Sequence, residues 1–172
     1  MKIGLIFGTT TGNTEDAADE IATSFGDAIA AQLDIESTSI EDLSNYDVLL
    51  IGCPTYDIGE LQNDWYFAAE KLEASSVRLD GVRVAFFGDG DQGGYPHNFQ
   101  DALGILRDLF VARGATADIG HWPTDDYEFE ESKALVDGKF AGLALDSLNQ
   151  GDLTEERIQA WCEQLKRELS LS

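Results

Sequence analysis

The sequence predicts an α/β fold, a doubly wound parallel sheet with helices on both faces, and three observations carry that expectation. Short, nearly continuous apolar runs stand at residues 2–7, 46–52 and 82–88, as strands covered on both faces require. An amphipathic helical stripe follows each of them. The 172 residues, 43% hydrophobic, supply one full core without a visible linker, repeat or low-complexity tract, so residues 1–172 read as a single domain.

"KIGLIF" (2–7) is the first strand. Ala17, Ala18, Ile21 and Phe25 then mark one face of a helix beginning near Asn13 or Thr14, which Gly26 can end. A weak second strand is expected around 33–38, followed by "YDVLLIG" (46–52). Leu61, Trp65, Ala68, Ala69 and Leu72 define the second helix. After "VRVAFFG" (82–88), a third helix starts from Asn98, carries Phe99, Ala102, Leu103, Leu106 and Phe110, and closes at Arg113 and Gly114. The fifth strand reads as split into "TADIGHW" (116–122) and "KFAGLAL" (139–145), with 122–138 too long and polar for a routine connection and therefore an insertion. The last helix spans about 154–169 on Ile158, Trp161, Cys162, Leu165 and Leu169, with Asp152 and Glu155 as a candidate capping box.

Eleven basic against 33 acidic residues give a formal net charge of -22. Such a chain repels nucleic acid and anionic membrane surfaces and attracts basic proteins. No apolar run approaches the roughly 20 residues that cross a bilayer, and "MKIGLIF" lacks the features of a signal peptide. Cys53 and Cys162 stand in apolar patterns without metal-ligand spacing and read as buried thiols in a reducing compartment. His97 and His121 have no nucleophile at a recognisable spacing and read as surface or packing residues.

In a doubly wound sheet, a ligand sits beyond the carboxyl ends of the strands. Three loops lie there. The first, Gly8-Thr9-Thr10-Thr11-Gly12-Asn13-Thr14, joins a strand to a helix whose first N–H groups point into the crevice, a setting for an anion. Without the Lys of a Walker A loop or the glycine fingerprint of a dinucleotide fold, its hydroxyls and amides suit a terminal phosphate monoester. The plainer alternative is a threonine-rich cap that holds nothing. The second and third loops, "CPTYDIGELQNDW" (53–65) and "GDGDQGGYPHNFQDALG" (88–104), each set one aromatic, Tyr56 or Tyr95, among small and polar residues. Two such rings can sandwich a planar heterocycle, although either alone reads as a half-exposed surface residue.

These three ordered loops resemble those of the flavodoxins, and the resemblance runs over essentially the whole chain. The family's Thr-x-Thr-Gly-x-Thr pattern stands at Thr9 to Thr14, and the segment ending "DGKFAGLALD" is similar to the long-chain subgroup. The resemblance implies a five-stranded sheet of order 2-1-3-4-5 and non-covalently bound flavin mononucleotide (FMN). It implies phosphate contacts at Thr9, Thr10, Thr11, Gly12, Asn13 and Thr14. The isoalloxazine edge would lie against Pro54, Thr55, Tyr56, Asp57, Ile58 and Gly59 and against Asp89, Gly90 and Asp91, with Tyr95 stacked on the ring. Asn98, Phe99, Gln100 and Asp146 match positions near the outer ring or the ribityl chain. The implied role is a monomeric, cytoplasmic, low-potential carrier of single electrons, with no catalytic residue and no metal. Its implied partners are basic redox proteins such as ferredoxin–NADP reductase or photosystem I.

Departures from the family pattern are specific. Tyr56 stands where relatives frequently carry Trp, Asp57 where Asn or Gly is common, and Asp89 adds a carboxylate to the ring edge. The pair Gly93-Gly94 loosens the loop that carries Tyr95. A carboxylate about 10 Å from an anionic reduced ring opposes it by roughly 0.4 kcal/mol in water and about 1.7 at an effective dielectric of 20, on the order of 20 to 70 mV. Asp57, Glu60, Asp64, Asp89, Asp91 and Asp146 are the candidates for that effect, against the ordinary alternative of solubilising the rim. The runner-up function, a flavodoxin-like NAD(P)H:quinone reductase, needs room for a nicotinamide that Tyr56 and Tyr95 would cover. A phosphoacceptor signalling domain would need acidic residues where Phe7-Gly8-Thr9 and Gly52-Cys53-Pro54 stand.

Overall fold

The computed structural model describes residues 1–171. In chain order the strands and helices are β1 (Ile3–Phe7), α1 (Asn13–Phe25), β2 (Ile29–Asp34), β3 (Val48–Gly52), β4 (Thr55–Tyr56), β5 (Glu60–Leu61), α2 (Asn63–Ala74), β6 (Arg83–Asp89), α3 (Asp101–Ala112), β7 (Leu135–Val136), β8 (Lys139–Phe140), β9 (Gly142–Leu145), α4 (Ser147–Gln150) and α5 (Thr154–Glu168). Five strands pair in the order β2-β1-β3-β6-β9, all parallel. This is the 2-1-3-4-5 order implied above.

The unbroken apolar runs follow from two cores, one on each face of the sheet. Leu49, Ile51, Val84 and Phe86 join the core packed with Trp65, Leu72, Leu106 and Phe110 of α2 and α3. Their neighbours Val48, Leu50, Ala85 and Phe87 join the other, with Ala18 and Ile21 of α1 and Trp161 and Leu165 of α5. Successive side chains point to opposite faces, so a strand buried on both must be apolar throughout. Cys53 and Cys162 are buried, unpaired thiols, and burial pushes the Cys53 thiol up to about 12. None of the described helices is long and apolar enough to cross a membrane.

Several expectations need correction. The second strand lies at Ile29–Asp34, ahead of the expected 33–38, and Ile35–Ser37 form a 3-10 turn. As the edge strand it alternates between part-buried and exposed positions, which leaves no continuous apolar run to mark it. Leu61 belongs to the β4–β5 hairpin and not to α2. The third helix begins at Asp101, because Gln100 takes a left-handed conformation (φ 60°) that a helix interior excludes.

The stretch 116–122 is not a strand. Its two ends make only isolated bridges, Thr116 parallel to Arg83 and Trp122 antiparallel to Phe140, and between them Gly120 breaks the path at φ 72°. Lys139–Phe140 pairs with Leu135–Val136 around an Asp137-Gly138 turn with positive φ at both residues, and Gly142–Leu145 alone completes the sheet. The insertion is less polar in effect than in composition, because Tyr127 and Phe129 pack with Phe99 and Phe140 at ring separations of 5.1–5.7 Å. The Arg157 guanidinium lies over Tyr127 at 4.3 Å. The capping box does not form: a 3-10 turn at Gly151–Leu153 runs directly into α5, and Leu153 at its start makes no side-chain cap.

Candidate functional site

The strand order reverses between β1 and β3, and the first two loops leave the sheet there. The Gly52 carbonyl at the end of β3 accepts the Gly8 amide at 2.9 Å and the Trp65 indole N–H at 2.7 Å. A Cβ at Gly8 would collide with Gln62 Oε1 and the Trp65 ring, so only glycine lets the first loop leave β1 along this path. Gln62, buried ahead of α2, donates from Nε2 to the Thr9 carbonyl and to Thr10 Oγ1, each at 3.3 Å, while its Oε1 accepts the Trp65 amide at 3.2 Å. Sequence reasoning missed Gln62. Glutamine is not among the preferred capping residues, so it left no signal beyond its place in a quoted loop.

Within the first loop, Thr9 Oγ1 accepts the Gly12 amide at 2.9 Å, and Gly12 turns left-handed at φ 94° to open α1. A hydroxyl that accepts an N–H keeps its own proton to donate outward, which describes both Thr9 and Thr10. Thr11 and Asn13 are exposed, and Asn13 Nδ2 contacts Asp89 Oδ2 at 3.3 Å and Ser147 Oγ at 3.2 Å. Thr14 is only 2% exposed, and its Oγ1 has no hydrogen-bond partner. A buried hydroxyl without a partner is costly, and this one stands on the first turn of α1, whose first N–H groups have no partner within the helix. Beside it lies a cavity of about 350 Å³ lined in part by Asn13, Thr14, Phe87, Asp89 and Ser147.

The second loop is a tight hairpin. Thr55 pairs with Leu61 and Tyr56 with Glu60 across a turn of Asp57, Ile58 and Gly59, in which Asp57 (φ 46°) and Gly59 (φ 75°) are left-handed. The turn is anchored below, where Thr55 Oγ1 accepts the Ala102 amide at 3.0 Å and Gly59 abuts Asp101 so closely that no side chain fits. Ile58 is 74% exposed, and the carboxylates of Asp57 and Glu60 are exposed without a hydrogen-bond or ion-pair partner among the described residues. The Tyr56 hydroxyl is buried and unpartnered. Pro54 is buried at the loop's root.

In the third loop, Asp89 Oδ1 accepts the Ser147 amide at 2.7 Å, and Asp91 Oδ1 accepts from the Gly94 amide and Asn149 Nδ2, both at 2.8 Å. The Tyr95 amide donates to the Asp91 carbonyl at 2.9 Å, and Tyr95 is 39% exposed. Asn98 has its Nδ2 on Asp101 Oδ2 at 3.2 Å. Three expected contact residues do not reach the surface. Phe99 is in the aromatic cluster under the insertion. Gln100 is fully buried with Nε2 on the Leu145 carbonyl at 2.9 Å. Asp146, 1% exposed, caps α4 through the Asn149 amide at 3.0 Å. A Cβ at Gly90 would press on both Phe99 and Gln100, so these two form the floor on which the loop rests. Of the six rim carboxylates, Asp64, Asp89, Asp91 and Asp146 are therefore tied into the structure, which leaves Asp57 and Glu60 projecting.

The parallel sheet, with three loops gathered at its reversal point and an anion-ready helix start among them, defines a doubly wound α/β protein of the switch-point type. Within that class the chain belongs to the flavodoxin family, whose family model, described as Flavodoxin, matches residues 5–161. It is 52% identical over 172 residues to a flavodoxin of Trichodesmium erythraeum, covering 99% of each chain. It is 47% identical over 169 residues to Flavodoxin 1 of Escherichia coli strain K12, covering 98% of this chain and 94% of that one. Among solved structures it superposes on Fusobacterium nucleatum flavodoxin bound to flavin mononucleotide with a TM-score of 0.88 at 31% identity, covering 97% of this chain and 98% of that one.

Proposed function

We propose that this chain is an electron carrier rather than an enzyme, holding FMN non-covalently and passing single electrons between redox enzymes. Full-length similarity to proteins named flavodoxins supports the role. The observation that carries the cofactor assignment is the buried, unpartnered Thr14 hydroxyl at the start of α1. The residues present fit the group: a phosphate beside the loop would give that hydroxyl its acceptor, along with the amides of the first turn and the protons of Thr9, Thr10 and Thr11. Pro54 to Gly59 and Asp89 to Asp91 would border the ring, with Tyr56 and Tyr95 against its faces and Asn98 nearby.

Bound FMN supplies one- and two-electron redox chemistry. The chain's own residues set the conditions for it. The hairpin turn offers backbone groups at Asp57 and Gly59, Ile58 and Tyr95 present apolar surface, and the negative charge of Asp57 and Glu60 disfavours further negative charge nearby. The quinone reductase alternative is not favoured, since relatives about half identical to this chain over nearly its full length are named flavodoxins. The acidic chain is suited to basic redox partners, of which ferredoxin–NADP reductase and photosystem I are the candidates, met as a monomer in the cytoplasm. An absorbance spectrum of the purified protein tests the reading: a flavin spectrum with FMN released on denaturation supports it, and a colourless protein that takes up no FMN refutes it.

A further inference from the structure

The insertion and the Tyr95 loop meet through a small set of polar atoms, and Gln92 is the one loop residue whose side chain joins the insertion to Asp146. Gln92 is 6% exposed. Its amide and its Nε2 both donate to Asp146 Oδ2, at 3.0 and 2.8 Å, and its Oε1 accepts the Glu128 amide at 2.7 Å. On the far side of Tyr95, the Pro96 carbonyl accepts the amides of Glu130 at 2.7 Å and Glu131 at 3.0 Å. Three backbone N–H groups of the insertion thus grip the loop on either side of Tyr95. Between these anchors the loop contains Gly93-Gly94, which contributes no side chain, so beyond the Gly94 and Tyr95 amides bonded to Asp91 the loop depends on ties from outside.

Resting on the FMN reading above, we infer that Gln92 is a positioning residue, through which the insertion fixes Tyr95 and so sets affinity for the flavin ring but not for its phosphate. The two functions have different supports: the insertion bonds to the 92–96 segment, whereas the phosphate loop is held from Gly52 and Gln62 and, among the described residues, meets the third loop only at its start, through Asn13 on Asp89 and Ser147. Removing the side-chain amide of Gln92 leaves the part-buried Glu128 N–H without its acceptor, a loss large enough to open the local loop.

Two variants test this in the FMN-free protein. Gln92→Met keeps the length of the side chain and removes its polar atoms. Glu128→Pro removes the insertion's donor without touching Gln92, and serves if the first variant fails to fold. In either, amide hydrogen exchange at Gly94, Tyr95 and Asn98 should accelerate about tenfold or more, while exchange at Leu5 and Leu50 in β1 and β3 stays within about twofold of wild type. The dissociation constant for FMN should rise about tenfold with that for inorganic phosphate within about twofold. Unchanged exchange at the three loop amides, or parallel losses of FMN and phosphate affinity, would overturn the inference. Failure of the wild-type chain to bind FMN would instead overturn the functional reading, and the exchange measurement would still decide whether Gln92 couples insertion to loop.

Discussion

The indole N–H of Trp65 donates at 2.7 Å to the carbonyl of Gly52, and through that one oxygen, which also takes the Gly8 amide, α2 is fastened to the ends of both β1 and β3. Trp65 is therefore part of the frame that fixes where the first two loops begin. Trp65→Phe should lower stability by about 1–3 kcal/mol, from the lost hydrogen bond and the space left by the smaller ring. Chemical denaturation of the FMN-free protein measures it, and an unchanged midpoint would show that the contact contributes nothing.

Thr14 offers a sharper test, because its hydroxyl is buried and unpartnered. Thr14→Ala should leave the FMN-free protein as stable as before, or slightly more so, since the change removes an unsatisfied polar atom. FMN binding should weaken by about 1.5–3 kcal/mol through loss of a charge-assisted hydrogen bond, whereas riboflavin binding should not change. Titration with both ligands decides it, and equal losses would move the phosphate elsewhere.

Asp57 sits left-handed at φ 46° in the hairpin turn with its carboxylate exposed. Asn tolerates this conformation as readily as Asp, so Asp57→Asn should change charge without changing shape. The second one-electron potential should rise by roughly 20 to 70 mV, with the fold's stability unaltered. Spectroelectrochemistry of the two proteins gives the comparison.

Glu20, on α1 beside the cavity next to the first loop, has its carboxyl raised above its ordinary 4.5, first by burial and then by Glu155 and Asp16. A carboxyl whose folded value is raised binds more protons in the folded state, so its contribution to stability falls as pH rises through that value. Glu20→Gln should therefore stabilise the protein at neutral pH, with the advantage shrinking as the pH falls to about 4.5 and below. Thermal unfolding across pH would show a constant difference if Glu20 were indifferent to its neighbours.

Most of the fold was legible because strands buried on both faces must be apolar at every position, as β1, β3 and β6 nearly are. The edge strand β2 escaped exact placement because exposed Ala30 and Gln32 alternate with its part-buried residues and leave no continuous buried run. The split fifth strand was visible as two runs, but of the first only Thr116 joins the parallel sheet and Trp122 bridges instead to Phe140, since a single glycine at 120 redirects the chain in a way that periodicity does not register. At the candidate site, the threonine loop and the two tyrosines stand out by residue type and position. The burial of Phe99, Gln100 and Asp146 was not legible in the same way, because a side chain beneath a loop and one at its surface carry the same local pattern. Gln62 and Gln92 were silent for a related reason: their roles arise from partners 36 to 54 positions away.

The charge of -22 bears on encounter with a basic partner. The screening length drops from about 10 Å at 0.1 M salt to about 3 Å at 1 M, so association with such a partner should slow steeply as salt rises. Glu60→Lys should slow it at low salt while leaving FMN affinity nearly intact, because Glu60 projects from the hairpin rim. Stopped-flow electron transfer over a salt series reads both effects, and a rate indifferent to salt would mean that the acidity serves solubility.

The central claim, a carrier of single electrons on FMN, is tested most directly by a redox titration of the purified, flavin-loaded protein with the released flavin counted against protein. The expected result is one FMN per chain and two separated one-electron potentials, with no bleaching by NADPH alone. A single two-electron wave with direct reduction by NADPH, or a flavin other than FMN, would contradict it.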